Sequence, residues 1–263
     1  MTITIALAGK GGTGKTTVAA MIVKYLIQKQ SAPILAIDAD PSANLNMVLG
    51  VDLDRTVGGI REDMLKQVQS SVTAGGAARG SLAGGMSKHD YLDYEIRGSL
   101  IESDRFDLIA MGRSEGPGCY CAVNHNLRDI LDTLSHNYPY VVMDNEAGME
   151  HLSRRTTQDV QHLFITSDPT HRGVVAAERI VDLKDELEIN IENAYMILNR
   201  VPGEIPPPLQ ERIDGIKVPF LGTIPADDEV MKFDYSGTPL LELKDNSPVY
   251  RAVAVMLDQT LGL

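Results

Sequence analysis

Residues 9–17 read Gly9-Lys10-Gly11-Gly12-Thr13-Gly14-Lys15-Thr16-Thr17. The stretch fits the phosphate-loop pattern G-x-x-x-x-G-K-[ST] and adds a second lysine, Lys10, directly after the first glycine. Before it, Ile3, Ile5, Ala6, Leu7 and Ala8 make the apolar run of a buried strand. After it, Ala19, Ala20, Ile22, Val23, Leu26 and Ile27 recur with helical period. In that strand–loop–helix context the loop's N–H groups form an anion nest at a positive helix end. Gly11, Gly12, Thr13, Gly14, Lys15, Thr16 and Thr17 are therefore expected to wrap the phosphates of a nucleoside triphosphate. Lys15 reaches the β/γ-phosphates in this reading, and the Thr16 hydroxyl holds Mg²⁺.

Working outward, apolar runs recur at 3–8, 34–37, 108–111, 140–143, 162–165, 194–198 and 218–224. Helix-period segments separate most of them. This alternation predicts the α/β class: a P-loop NTPase with a mostly parallel, doubly wound sheet and helices on both faces. Residues 1–263 read as a single domain, with a glycine-rich insert at 74–85 expected to form a mobile loop. Ser87 and Asp90 make a capping-box-like helix start, with Leu92, Ile96 and Leu100 on one face. Pro206-Pro207-Pro208 opens a short helix, and 249–261 reads as a last amphipathic helix with Arg251 as its one basic residue.

Composition sets bounds on function. With 36 acidic and 24 basic residues the formal net charge is −12, which argues against a nucleic-acid backbone as partner. No apolar run approaches the ~20 residues of a membrane span, and no signal peptide precedes the first strand. Two cysteines in 263 residues, one residue apart, fit a reducing cytoplasm better than a disulfide framework.

Two further segments complete a nucleotide machine. Asp38-Ala39-Asp40-Pro41 follows the second strand, placing carboxylates where Mg²⁺ and an attacking water must be held. Asp144 ends the run Tyr140-Val141-Val142-Met143 and precedes Asn145-Glu146-Ala147-Gly148, a metal-linked carboxylate followed by a glycine hinge. With its second lysine, the loop resembles that of the MinD/ParA/nitrogenase-iron-protein group of ATPases. The resemblance implies that Lys10 reaches across a dimer to the partner's nucleotide and stabilises γ-phosphate charge in trans. It implies that Asp40 orients the attacking water and communicates with Mg²⁺. It also implies that Asn199 and the backbone after Pro225 read the adenine edge. No N-K-x-D guanine reader is present, so ATP is favoured over GTP.

The cysteines lie in Gly116-Pro117-Gly118-Cys119-Tyr120-Cys121, ahead of a helix with Leu127, Ile130, Leu131 and Leu134 on one face. Thiols near a helix N-terminus gain thiolate character, the metal-binding form, and residues i and i+2 of an extended segment share a face. Two thiolates leave a soft-metal site of about four donors half complete. A homodimer completes it, because two copies across a two-fold axis supply four sulfurs. Paired cysteines alone admit Ni, Zn, Cu(I) or Fe–S, and His125 is left as a solvent or capping residue.

Residues 111–121 and 141–156 (MGRSEGPGCYC and VVMDNEAGMEHLSRRT) carry a closer resemblance, to the CooC-type nickel-maturation ATPases of CO dehydrogenase. A sister group of these serves acetyl-CoA synthase. What it implies is an ATP-dependent homodimer, driven together by nucleotide and metal, that carries Ni²⁺ at Cys119 and Cys121. Zn²⁺ can substitute there, and the client is a nickel–iron–sulfur enzyme such as CO dehydrogenase. Two other functions stay open: an iron–sulfur carrier or reductase-type ATPase, and a ParA/MinD-like positioning ATPase. The acidic charge and the non-basic tail weigh against the last.

Overall fold

The computed structural model describes residues 2–29, 33–73, 87–113, 121–148, 159–184 and 189–263, with side chains excepted at 69–73, 121–126 and 128. Among these residues the strands are β1 (Ile3–Gly9), β2 (Ile34–Asp38), β3 (Ile101–Glu102), β4 (Asp107–Ala110), β5 (Tyr140–Asp144), β6 (Asp159–Ser167), β7 (Asn190–Val201) and β8 (Phe220–Pro225). They form one sheet in the order β3-β4-β2-β5-β1-β6-β7-β8, parallel throughout except for the short antiparallel edge strand β3.

Helices α1 (Lys15–Lys29), α2 (Leu45–Leu49), α3 (Val57–Thr73), α4 (Lys88–Gly98), α5 (Cys121–Ser135), α6 (His171–Lys184), α7 (Pro207–Asp214), α8 (Asp228–Ser236) and α9 (Pro248–Leu261) cover the sheet. One core lies between the sheet and α3–α6, with Ile109, Val141 and Ile165 meeting Ile60, Ile96, Ile130 and Val174. The other lies between the sheet and α1, α2 and α9, with Leu7, Val142 and Phe164 meeting Ile22, Leu45 and Val253. Burial on both faces explains why β1, β2 and β5 read as unbroken apolar runs rather than alternating ones. The expected doubly wound fold is thus the observed one. No helix among the described residues is long and apolar enough to cross a membrane.

The Ser87 side chain accepts from Asp90 N–H and caps α4; Leu92 and Ile96 are fully buried, whereas Leu100 lies beyond the helix end. Pro206 caps α7, and α9 begins at Pro248. The edge strand β3 was not expected; two residues are too short to show a period. The insert 74–85 lies outside the described residues.

Chain order places the chemistry. β1 is central, with β5 on one side and β6 on the other, so the chain leaves β1 at a switch point where loops diverge and a crevice opens. The ends of β1, β2, β4, β5, β6, β7 and β8 all reach the same edge of the sheet. At the far end of α1, the Tyr25 hydroxyl donates to Asp258 on α9 at 2.7 Å, and Lys24 pairs with Asp245 at 3.1 Å. The helix that opens at the phosphate loop is thus clamped by the helix that closes the fold.

Candidate functional site

The phosphate loop joins β1 to α1, and its glycines answer specific contacts. A Cβ on Gly9 would sit 2.2 Å from the Thr166 carbonyl oxygen of β6. Gly14 has φ +84°, and a Cβ there would meet Asn199 Nδ2 at 2.3 Å. Thr13 is fully buried, and its hydroxyl donates to Lys10 O at 2.9 Å. Lys15 is folded back, with Nζ 3.3 Å from Gly9 O and 3.5 Å from Lys10 O. Burial pushes its pKa down, against the pull of Asp144, Asp40 and Glu146. Lys10 is exposed.

On the β5 side, Asp38 and Asp144 are opposite one another in the β2–β5 register, 1% and 2% exposed. Two carboxyls this deep resist ionisation. Burial raises Asp38 to about 6, although the Leu45 and Asp40 amides donate to it at 2.8 and 3.1 Å. Burial raises Asp144 to about 7; the Thr16 hydroxyl and Lys15 lower it, while Asp38 and Asp40 raise it further. Asp144 Oδ1 is buried without a hydrogen-bond partner among the described residues. An unpartnered carboxylate oxygen beside a hydroxyl offers the hard oxygen donors that would suit Mg²⁺. Among the described residues no group of three or more His, Cys, Asp or Glu is gathered to hold a metal unaided. Asp40 is half-buried, and its Oδ1 accepts from Ser42 N–H at 2.8 Å, so it also organises its own turn.

The segment after Asp144 docks back on the loop. Gly148 N–H donates to Gly9 O at 3.1 Å, the same carbonyl that Lys15 faces. Asn145, not singled out from the sequence, is buried and donates to Leu7 O at 2.8 Å, with its Oδ1 unpartnered among the described residues. Its place directly after the strand carboxylate was the available clue. On the β7 side, Asn199 Nδ2 donates to Thr13 O at 2.9 Å and Arg200 Nη1 to Gly12 O at 3.1 Å. Pro225 pairs with Val201 at the end of β8, beside this corner.

The structure thus brings Lys10, Gly11–Thr17, Asp40, Asp144 and Asn199 to one edge. Asn199 stands behind the loop, with part of its hydrogen-bonding capacity already used. Cys119 lies outside the described residues, and Cys121 enters only as the first residue of α5, its side chain undescribed, as is that of His125. The backbone leading toward them is well placed. Met111 N–H donates to Asp38 O at 2.7 Å, and Ala39 N–H to Asp144 O at 2.9 Å. The strand end that feeds the cysteine segment is therefore bonded to the carboxylate strands.

Residues 4–240 match the family model for the CobQ/CobB/MinD/ParA nucleotide-binding domain. The chain belongs to this family. As a CobQ/CobB/MinD/ParA-type protein it is a P-loop ATPase, in keeping with the built phosphate loop. It is 40% identical over 258 residues to an uncharacterized ATP-binding protein of Methanocaldococcus jannaschii, covering 98% of each chain. To the carbon monoxide dehydrogenase accessory protein CooC of Rhodospirillum rubrum it is 28% identical, over 94% of this chain and 91% of that one. Among solved structures it resembles the cell division ATPase MinD of Pyrococcus furiosus, with a TM-score of 0.69, 22% identity, and 100% and 99% coverage. That likeness concerns the fold.

Proposed function

We propose that this chain is an ATP-driven homodimeric carrier that loads Ni²⁺ into a nickel–iron–sulfur enzyme such as CO dehydrogenase. The observation that carries the reading is the junction at Met111. The cysteine segment leaves the sheet at the nucleotide edge, and its first residue is hydrogen-bonded to Asp38 at 2.7 Å. A change at the carboxylates on ATP binding would therefore be felt at Met111, where the segment that carries the cysteines begins. Cys121 opens α5, where the helix dipole favours thiolate. The 28% identity to CooC supports the same direction.

In this mechanism the loop amides and Lys15 hold the phosphates, while Asn199 and the backbone after Pro225 take the adenine. Thr16 and Asp144, with Asp40 through water, would hold Mg²⁺, which would neutralise phosphate charge. Asp40 orients water for attack on the γ-phosphorus, releasing ADP and phosphate. Lys10, exposed on the loop, extends to a second subunit's nucleotide and draws two copies together. Closure brings Cys119 and Cys121 face to face with their symmetry mates, giving four sulfurs for one ion. Zn²⁺ can occupy the same thiolates. The setting is cytoplasmic.

Metal content of the full chain, measured with and without a non-hydrolysable ATP analogue, tests this. One divalent ion per two chains is expected, lost when Cys119→Ser or Cys121→Ser halves the donors, and released by acid as thiolates protonate. One tightly held ion per monomer, or undiminished Ni²⁺ binding in the double serine variant, refutes it. Lys10→Ala should keep monomer ATP affinity and lose nucleotide-driven dimerisation; equal affinity loss in Lys10→Ala and Lys15→Ala refutes the trans role.

A second reading, a MinD- or ParA-type positioning ATPase, is favoured by the similarity of fold to MinD over the whole chain. Salt-sensitive binding to bulk DNA or to anionic vesicles would select it. A brown protein with visible charge-transfer absorbance would instead select an iron–sulfur carrier.

A further inference from the structure

The end of β7 grips the phosphate loop from behind with two consecutive side chains. Asn199 is 3% exposed; its Nδ2 donates to Thr13 O at 2.9 Å, and its Oδ1 accepts from Arg200 N–H at 2.9 Å. Arg200 then turns back with φ +59°, a left-handed conformation uncommon for a residue with a Cβ, and Nη1 donates to Gly12 O at 3.1 Å. The fit is close: a Cβ on Gly14 would collide with Asn199 Nδ2 at 2.3 Å and touch Arg200 Nε at 3.6 Å.

A trans peptide is planar, so its C=O and N–H point in opposite directions. Holding Gly12 O and Thr13 O toward β7 therefore points the Thr13 and Gly14 N–H groups away from it. Among the described residues, Thr13 N–H makes a long 3.4 Å turn bond to Lys10 O. A guanidinium on a carbonyl also polarises the peptide, which strengthens the N–H on its other end as a donor.

We propose that Arg200 is a positioning residue of the phosphate site, orienting and polarising the Gly12–Thr13 peptide for a polyphosphate anion rather than reading the base. The left-handed backbone is what this placement requires, since it returns the side chain over the loop directly after Asn199. The proposal rests on ATP binding at this loop and is independent of any metal carried by the cysteines.

The test uses Arg200→Gly, whose backbone suits φ +59°, and Arg200→Asn, which also tolerates the left-handed region, so that folding is preserved. Binding of tripolyphosphate, ADP, ATP and GTP is measured by calorimetry at low and high ionic strength, with steady-state ATP turnover alongside. Both variants should lose about tenfold in affinity for tripolyphosphate and ADP alike, at both salt concentrations. KM for ATP should rise with kcat little changed, and the preference for ATP over GTP should persist. A loss confined to adenine nucleotides, or a collapsed ATP/GTP preference, would make Arg200 a base contact and overturn the proposal. A loss that vanishes at high salt would reduce it to a screened surface charge. Unchanged affinities would overturn it outright.

Discussion

The two walls of the phosphate loop treat their polar groups in opposite ways. On the β2–β5 side, two carboxyls are packed side by side away from water, and one oxygen of Asp144 has no partner among the described residues. On the β7 side, Asn199 and Arg200 satisfy two loop carbonyls in succession. One wall leaves a buried oxygen unpartnered among the described residues, and the other braces the loop through two of its carbonyls. On the proposed reading the buried carboxyls would be destabilising until Mg²⁺ binds, whereas the β7 contacts keep the loop's donors oriented beforehand.

Substitutions can break that contrast. Lys15→Ala removes the loop's buried cation, and ATP affinity by calorimetry should fall at least about a hundredfold. An unchanged affinity would mean that the amides alone suffice. Asp144→Asn should abolish Mg²⁺-dependent turnover yet stabilise the nucleotide-free protein. The sign follows from burial. Asp144 holds its proton to about pH 7 in the folded chain and to the ordinary carboxylate range, near 4, in the unfolded one. Its contribution is therefore complete below that range and is lost as pH rises through about 7, with Asp38 acting likewise through about 6. Denaturant titrations across pH 4–8 should show parental stability declining with pH. The asparagine variant should be more stable by about 2 kcal/mol at pH 8. A flat parental profile would show that the carboxyls are hydrated.

On the β7 side, Gly14→Ala should cost about 1–3 kcal/mol of stability, since a methyl group and Asn199 Nδ2 cannot share 2.3 Å. Weaker ATP binding should accompany it, and a neutral result would mean that the loop can lift off β7. Smallest of all, Lys29→Ala breaks a half-exposed pair with Asp258 far from both walls, and should change stability by less than about 0.5 kcal/mol.

Much of this architecture is written in local patterns. The loop motif, the buried parallel strands and the Ser87 cap are each encoded within a dozen residues, so reading them needs no knowledge of distant packing. Asp144 was legible because a carboxylate ends an apolar strand. Its pairing with Asp38 was not, because register between β2 and β5 is a long-range fact. Asn145 and Arg200 escaped for a similar reason. Asparagine or arginine after a strand is common in turns, and only the sheet order shows that both reach β1 or the loop that follows it. The edge strand β3 is fixed by its neighbour β4 rather than by its own two residues.

The clamp between α1 and α9 bears on synthesis. Tyr25 and Asp258 are 233 residues apart, so the helix that carries Lys15 at its head is fastened at its tail only after residue 258 has emerged from the ribosome. Until then α1 lacks the apolar cover of Val253 and Leu257 and rests on the sheet and α2 alone. Full anchoring of the helix that carries Lys15 is therefore a late event of folding, made through contacts of long sequence separation.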